Sequence, residues 1–95
     1  MTKLLGLLEP HHATYTALRQ RLHTIPETAY EERQTSDIIA RELESYGLEV
    51  HRGLAGTGVV AVLRNGSSQR SIGLRADIDA LNITELNDLP YRSTI

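Results

Sequence analysis

The feature that most constrains the fold is a change in the spacing of hydrophobic residues at Gly47. Before this glycine, apolar side chains recur every three or four positions, which is typical of one face of an α-helix. After it, apolar residues run together or alternate with polar ones, which is typical of β-strands. The sequence therefore predicts an α/β chain in which two helices are followed by three strands. Its 95 residues suffice for one small domain at most.

Two segments before Gly47 have the helical spacing. The first covers residues 14–25, and Pro26 ends it. Its apolar face comprises Tyr15, Leu18, Leu22 and Ile25. The second helix is expected to begin near Thr28, because Thr28 and Glu31 have the T-x-x-E spacing of a capping box. Its inner face would comprise Thr35, Ile38, Ile39, Leu43 and Tyr46, and a left-handed Gly47 would close it.

Three segments after the change of period predict strands. Residues 48–51 form a short strand, residues 59–63 a buried one, and residues 72–80 the one with the most regular alternation. The apolar side of the third strand is expected to face the two helices, with Ile39 and Leu43 among its contacts. That side comprises Ile72, Leu74, Ala76 and Ile78. The opposite side carries Arg75, Asp77 and Asp79.

Two aspartates on the third predicted strand are the candidate catalytic residues. Alternation puts Asp77 and Asp79 on the same side of the strand, roughly 7 Å apart. Such a pair can ligate a metal, accept a proton or orient a histidine from elsewhere. The alternative is a solvated strand face with one internal ion pair to Arg75, since a D-x-D spacing often arises by chance. The residue types alone leave both interpretations open.

A glycine-containing segment suggests nucleotide binding only superficially. Gly56, Gly58 and Ala61 match the G-x-G-x-x-A pattern of a dinucleotide fingerprint. That fingerprint must follow a strand and open a helix, whereas an apolar, β-branched run follows here. We expect these glycines to allow a tight loop that leads into a buried strand.

The histidines do not have the spacing of a metal site. The chain has four histidines and no cysteine, which excludes a disulfide framework and a thiolate metal site. His11 and His12 are expected to lie at the surface or to cap a helix end, because neighbouring residues point to different sides of a helix. His23 is expected to bond a free carbonyl at the end of the first helix.

Charge and hydropathy exclude several kinds of partner. The 10 basic and 12 acidic residues form no basic stripe, so nucleic acid is not an expected partner. No apolar run approaches the ~20 residues of a membrane span, and the run at residues 4–8 is too short for a signal peptide. We therefore expect a cytoplasmic chain that does not enter a membrane.

Several short motifs occur in the order and spacing of one enzyme family. They are LHTIPE at residues 22–27, EERQT at 31–35, YGLEV at 46–50, GTGVV at 56–60, GLRADIDAL at 73–81 and NDLPY at 87–91. Together they resemble the start of the metal-dependent amidohydrolases that include hippurate hydrolase, N-acyl-amino-acid hydrolases and plant auxin-conjugate hydrolases. The resemblance covers residues 15–95, and the segment that contains Asp77 and Asp79 is its most specific part.

The resemblance implies a fold and a reaction. Family members are longer than this chain and have a zinc-exopeptidase-like catalytic domain interrupted by a lid domain that also forms dimers. Residues 1–95 would be the incomplete first part of that catalytic domain, a single partial domain without the lid. The intact enzyme would cleave the amide bond of a small N-acyl amino acid with a water activated by two divalent metal ions, zinc or manganese.

The resemblance also implies what this chain does not supply. The metal ligands of the family lie in later segments, beginning with a His-Ala-Cys-Gly-His-Asp motif that would follow Ile95. No metal ligand or substrate-binding residue is therefore assigned here, and the chain alone is expected to bind no metal and to be inactive. Asp79 matches an aspartate that orients a metal-bound histidine, and Asp77 lies beside it. Asn82 stands where proline is usual.

Two other functions are compatible with the sequence. A stand-alone interaction domain would bind a partner chain through its exposed sheet. A small hydrolase would use Asp77 and Asp79 directly, although neither a nucleophile nor a third ligand accompanies them.

Overall fold

The computed structural model describes residues 2–94 and, of Thr2, the backbone. Its helices are α1 (Thr2–Leu8), α2 (His12–Thr24) and α3 (Arg33–Ser45), with a 3-10 turn at Glu9–His11, and its strands are β1 (Glu49–Leu54) and β2 (Gly58–Val62). Two compact units are present. The first comprises the described residues up to Pro26 together with residues 83–94, and the second comprises Glu27–Asn82. No helix within residues 2–94 is long and apolar enough to cross a membrane.

Helix α2 confirms the first predicted helix. It begins two residues before the predicted start and ends one residue before the predicted end, at Thr24. The Thr24 hydroxyl donates a hydrogen bond to the carbonyl of Arg21 at 2.6 Å, within the last turn. Leu18 and Leu22 are half-buried, as their spacing predicts, whereas Tyr15, assigned to the same face, is exposed. Helix α1 was not predicted, although Leu4, Leu7 and Leu8 have the spacing of a helix face.

Helix α3 confirms the second predicted helix, but the capping box is wrong. The Thr28 hydroxyl lies 3.5 Å from the Glu31 carboxylate and caps no helix. The helix begins at Arg33, and Glu27 caps it from outside. The Glu27 carboxylate accepts hydrogen bonds from the amides of Thr35 at 2.6 Å and Gln34 at 3.1 Å. A carboxylate at this position also interacts favourably with the positive end of the helix dipole.

The end and the buried face of α3 largely follow the sequence pattern. Gly47 has a φ of +80°, which is the left-handed conformation predicted for the residue that closes the helix. Thr35 is buried, and Ile38, Ile39 and Leu43 are half-buried. Tyr46 was also assigned to this face, but it is exposed because it lies beyond the last helical turn.

Strands β1 and β2 confirm the first two predicted strands, and they form an antiparallel hairpin against α3 that was not predicted. The register pairs Glu49 with Val62 and Val50 with Ala61. A bulge lies between Arg52 and Leu54. Both strands contact α3, so the hairpin and this helix form a helix-on-sheet layer within the second unit.

The third predicted strand is wrong: residues 71–81 contain no strand. Ile72 is 89% exposed and Leu74 is 95% exposed, so these side chains do not have the predicted cover from the helices. The physical reason is that strand amides and carbonyls need a neighbouring strand to bond, and within residues 2–94 none lies beside this segment. Only the end of the segment is fixed, where Ile78 and Ala80 are half-buried.

Gly58 is the position where the hairpin is most sensitive to an added side chain. A Cβ atom on Gly58 would lie 2.5 Å from the carbonyl oxygen of Leu54. We expect Gly58→Ala to lower the free energy of unfolding by about 1–3 kcal/mol. Gly73→Ala is the matched control, since a Cβ there meets nothing within 4 Å. Urea denaturation followed by circular dichroism checks this, and equal midpoints for the two variants would contradict it.

Candidate functional site

The predicted acidic site lies on an exposed part of the chain. The Arg75 guanidinium and the Asp77 carboxylate form an ion pair at 2.6 Å, with side chains 84% and 66% exposed. The structure thus contains the internal ion pair of the solvated-face interpretation. Asp79 is also exposed, and it makes no ion pair or side-chain hydrogen bond within residues 2–94. Arg75 and Asp77 are brought together, while Asp79 is not joined to them.

One hydrogen bond fixes the end of the acidic segment, residues 75–80, in the second unit. The amide of Ala80 donates to the backbone carbonyl of Glu27 at 2.7 Å. Burial opposes ionisation of Glu27, but the amides of Thr35 and Gln34 outweigh it and lower the pKa of the Glu27 carboxyl. Glu27 is therefore a charged cap on α3 and, through its backbone, the anchor of Ala80. Sequence reasoning did not identify this role.

A second glutamate joins the start of α3 to the hairpin turn. Glu32 is buried, and its carboxylate accepts hydrogen bonds from the amide of Tyr30 at 2.8 Å and from the Thr57 hydroxyl. The Thr57 hydroxyl is the main reason that the pKa of the Glu32 carboxyl is lowered, against the opposing effect of burial. This contact holds the turn between β1 and β2 against α3.

A cavity of about 460 Å³ lies between the start of α3 and the hairpin turn. Its lining comprises Tyr30, Arg33, Ser36, Asp37, Arg52, Gly53, Gly56 and Thr57. Arg52 is engaged by Asp37 at 2.9 Å and by Glu44 at 3.2 Å. The first amides of α3 are engaged by Glu27. Asp37 and Arg52 thus join the helix to the hairpin beside this cavity.

The glycines of the superficial dinucleotide pattern lie in the hairpin. Gly56 has a φ of +93° in the turn, and Gly58 begins β2. A strand follows them and not a helix, which confirms the tight loop leading into a strand. The expected burial of that strand is wrong, because Val60 and Leu63 are exposed.

The histidines serve structural contacts, but the predicted partner of His23 is wrong. The Nε2 atom of His23 lies 3.0 Å from the Glu85 carboxylate, and its ring meets the ring of Tyr91 edge-on at 5.9 Å. The helix carbonyl it was expected to bond is reached instead by Thr24. Because 62 positions separate His23 from Glu85, no local pattern could have indicated this pair. His11 and His12 are exposed, as expected.

Glu85 ties the segment 83–94 to the end of α2. Its side chain is 10% exposed and accepts a hydrogen bond from the amide of Ser93 at 2.6 Å. That amide is the main cause that lowers the pKa of the Glu85 carboxyl, and His23 and Arg92 add to it against the effect of burial. The carbonyl of Thr24 in turn accepts hydrogen bonds from the amide and hydroxyl of Thr94.

The lowered pKa of Glu85 predicts how the hydrogen bond from the Ser93 amide to the Glu85 carboxylate responds to pH. A group whose pKa is lower in the folded state stabilises that state above its unfolded pKa and loses the effect as pH falls through its folded pKa. We therefore expect the amide proton of Ser93 to move upfield in NMR spectra as acid protonates Glu85. Glu85→Gln should remove this step, whereas Glu9→Gln, an exposed change in the same unit, should preserve it. A Ser93 shift that is independent of pH in the unchanged chain would contradict the prediction.

Within residues 2–94, no group of three or more histidine, aspartate or glutamate side chains is placed to hold a metal ion. His51 lies 3.8 Å from Glu49, and His12 lies 3.5 Å from Thr16. Asp77 and Asp79 thus lack a nearby third ligand from the described part of the chain.

The sequence is similar to several curated hydrolases. It is 42% identical over 79 residues to a hippurate hydrolase of Campylobacter jejuni, which covers 83% of this chain and 21% of the relative. It is 41% identical over 83 residues to an N-acetyldiaminopimelate deacetylase of Listeria monocytogenes, and the match covers 83% of this chain and 22% of the relative. It is 37% identical over 79 residues to a thermostable carboxypeptidase of Saccharolobus solfataricus, and the match covers 82% of this chain and 20% of the relative. The chain thus spans about a fifth of the length of these relatives. No protein-family model and no solved structure matches the sequence.

Proposed function

We propose, on the premise that this chain belongs to the amidohydrolase family of hippurate hydrolase, that it is the amino-terminal part of an enzyme that hydrolyses N-acyl amino acids. The observation that carries the proposal is the 42% identity over 79 residues to a hippurate hydrolase. Hippurate and N-acetyldiaminopimelate, which two of the relatives are named for, both contain an amino acid acylated on nitrogen. An amide of this kind is therefore the substrate class that we propose.

The residues of this chain do not by themselves fit a two-metal site. Asp77 and Asp79 are exposed, one of them is paired with Arg75, and neither has a third ligand beside it in residues 2–94. A site for two zinc or manganese ions requires more donors than these carboxylates supply. We place the metal ligands in parts of the whole protein outside residues 1–95.

The proposed role of this chain is to build one wall of the catalytic domain. Asp79 would act as a positioning residue for a histidine of the whole protein, with Asp77 beside it. Support comes from the single anchored end of this segment, where Ala80 is bonded to Glu27 while both carboxylates face solvent. Residues 1–95 would form one partial catalytic domain, and dimerisation would use a lid domain elsewhere in the protein.

An interaction domain remains the second candidate because of the exposed segment 71–81. Leu74 and Ile72 are almost fully exposed, and apolar side chains of this kind often mark a surface that another chain or segment covers. In the hydrolase proposal, the rest of the same protein supplies that cover. In the second candidate, a different protein supplies it.

The deciding experiment uses the protein extended beyond residue 95 to the length of its relatives. The purified protein is dialysed against a chelator, supplemented with zinc or manganese, and incubated with N-benzoylglycine and with N-acetyl amino acids. We expect the release of free amino acid, measured by mass spectrometry, only after metal is restored. A folded, metal-supplemented protein that cleaves none of these amides would contradict the hydrolase proposal and favour the interaction domain.

A further inference from the structure

We propose that Glu27 is a positioning residue for Asp79, because it fixes the end of the acidic segment 75–80 on helix α3. The role of Asp79 as a positioning residue rests on the proposed function. The contacts of Glu27 with α3 and with Ala80 do not depend on the proposed function.

The first contact is made by the backbone of Glu27. Its carbonyl accepts the hydrogen bond of the Ala80 amide at 2.7 Å, and Ala80 directly follows Asp79. Within the described part of the chain, this is the one hydrogen bond that joins residues 71–82 to any residue outside them. The position of Asp79 relative to the rest of the second unit therefore depends on where Glu27 holds its carbonyl.

The second contact is made by the side chain of the same residue. Its two carboxylate oxygens accept the amides of Thr35 at 2.6 Å and Gln34 at 3.1 Å in the first turn of α3. Thr35 and Ser36 are buried, so this turn belongs to the fixed part of the second unit. Glu27 thus holds α3 with its side chain and the acidic segment with its backbone.

The two contacts predict a consequence that an ordinary helix cap would not have. Removal of the Glu27 carboxylate frees the first amides of α3, which any cap would do. It also releases the backbone of Glu27 from the helix, so the carbonyl that holds Ala80 moves more freely. Loss of the side chain should therefore loosen a hydrogen bond that the side chain does not itself make.

Hydrogen exchange of the 95-residue chain, resolved by NMR, tests the contacts without any assay of activity. We expect Glu27→Ala to speed exchange of the Ala80 amide about tenfold, which is the size of effect that loss of a helix cap produces. Glu27→Gln keeps a side-chain oxygen as acceptor and should restore part of the protection. The control is Glu31→Ala, which removes a nearby exposed carboxylate whose one side-chain contact is to Thr28.

Amides of the β1–β2 hairpin distinguish local loosening from unfolding. The proposal requires that they exchange at unchanged rates in Glu27→Ala. It is overturned if Gln34 and Thr35 lose protection while Ala80 does not change, if the hairpin loses protection to the same extent as Ala80, or if Ala80 is unprotected in the unchanged chain.

Kinetics of the extended protein test the link to Asp79. If Glu27 acts through Asp79, Glu27→Ala lowers kcat with little change in KM, Glu27→Gln restores part of it, and adding Glu27→Ala to Asp79→Ala lowers kcat no further. Additive losses would overturn the link. Absence of hydrolysis in the unchanged extended protein would reject the proposed function instead, while the exchange measurements would still decide whether Glu27 anchors Ala80.

Discussion

Residues 1–95, purified alone, are expected to release no amino acid from N-benzoylglycine or N-acetyl amino acids and to retain no stoichiometric zinc or manganese after dialysis. A two-metal hydrolytic site requires about four to six protein donors around its ions. The candidate site offers two exposed carboxylates, and Arg75 already occupies one oxygen of Asp77 at 2.6 Å. Amino acid release by mass spectrometry and metal content by emission spectroscopy check this.

The extended protein is the positive control for that measurement, assayed with the same substrates and the same metal supplement. Hydrolysis by the short chain that a chelator abolishes and metal restores would contradict the prediction. It would also require metal ligands within residues 1–95. His23 could supply such a ligand only through its Nδ1 atom, because its Nε2 atom lies 3.0 Å from the Glu85 carboxylate.

The parts of the fold that could be predicted from the sequence are those that neighbouring residues determine. Gly47 closes α3 because glycine reaches a φ of +80° without strain, and this requires nothing from distant residues. The two strands of the hairpin have the same local origin, since alternation at residues 48–51 and an apolar run at residues 59–63 predict them, but the sequence analysis did not predict their antiparallel pairing. Helix α2 follows its apolar spacing and Pro26.

The parts that could not be predicted depend on residues far apart in the sequence. The capping-box spacing relates Thr28 to Glu31, three positions away, whereas the true cap, Glu27, accepts a hydrogen bond from the amide of Thr35, eight positions away. The alternation of residues 72–80 shows which side chains share a face, but a strand also needs a neighbour to accept its backbone hydrogen bonds. No spacing within the segment reveals whether that neighbour is present.

The same distinction applies to the candidate site. The ion pair of Arg75 with Asp77 joins residues two positions apart, so the sequence alone indicates it, as the solvated-face alternative. The pair of His23 with Glu85 and the anchor of Ala80 on Glu27 join residues more than 50 positions apart. No pattern of residues around His23 or Glu27 in the sequence indicates these two contacts.

In the extended protein, Asp79→Ala is expected to lower kcat about 10–100-fold, the usual cost of removing a carboxylate that orients a metal-bound histidine. Asp77→Ala should have a smaller effect, because the Asp77 carboxylate is held by Arg75 at 2.6 Å and points toward that partner. Asp79 has no such partner within residues 2–94, and it directly precedes the anchored Ala80. Its carboxylate is therefore free to accept a hydrogen bond from a histidine that the rest of the protein supplies.

The two aspartates are matched controls for each other, since both substitutions remove one exposed carboxylate from the same segment and leave the net charge equal. Steady-state measurement of kcat and KM on N-benzoylglycine, at equal metal loading, separates loss of turnover from loss of substrate binding. Asp79→Asn keeps the size of the side chain and removes its charge, so a loss close to that of Asp79→Ala identifies the charge as the important property. Equal losses for Asp77→Ala and Asp79→Ala would contradict the assignment, because the ion pair to Arg75 would then not distinguish the two carboxylates.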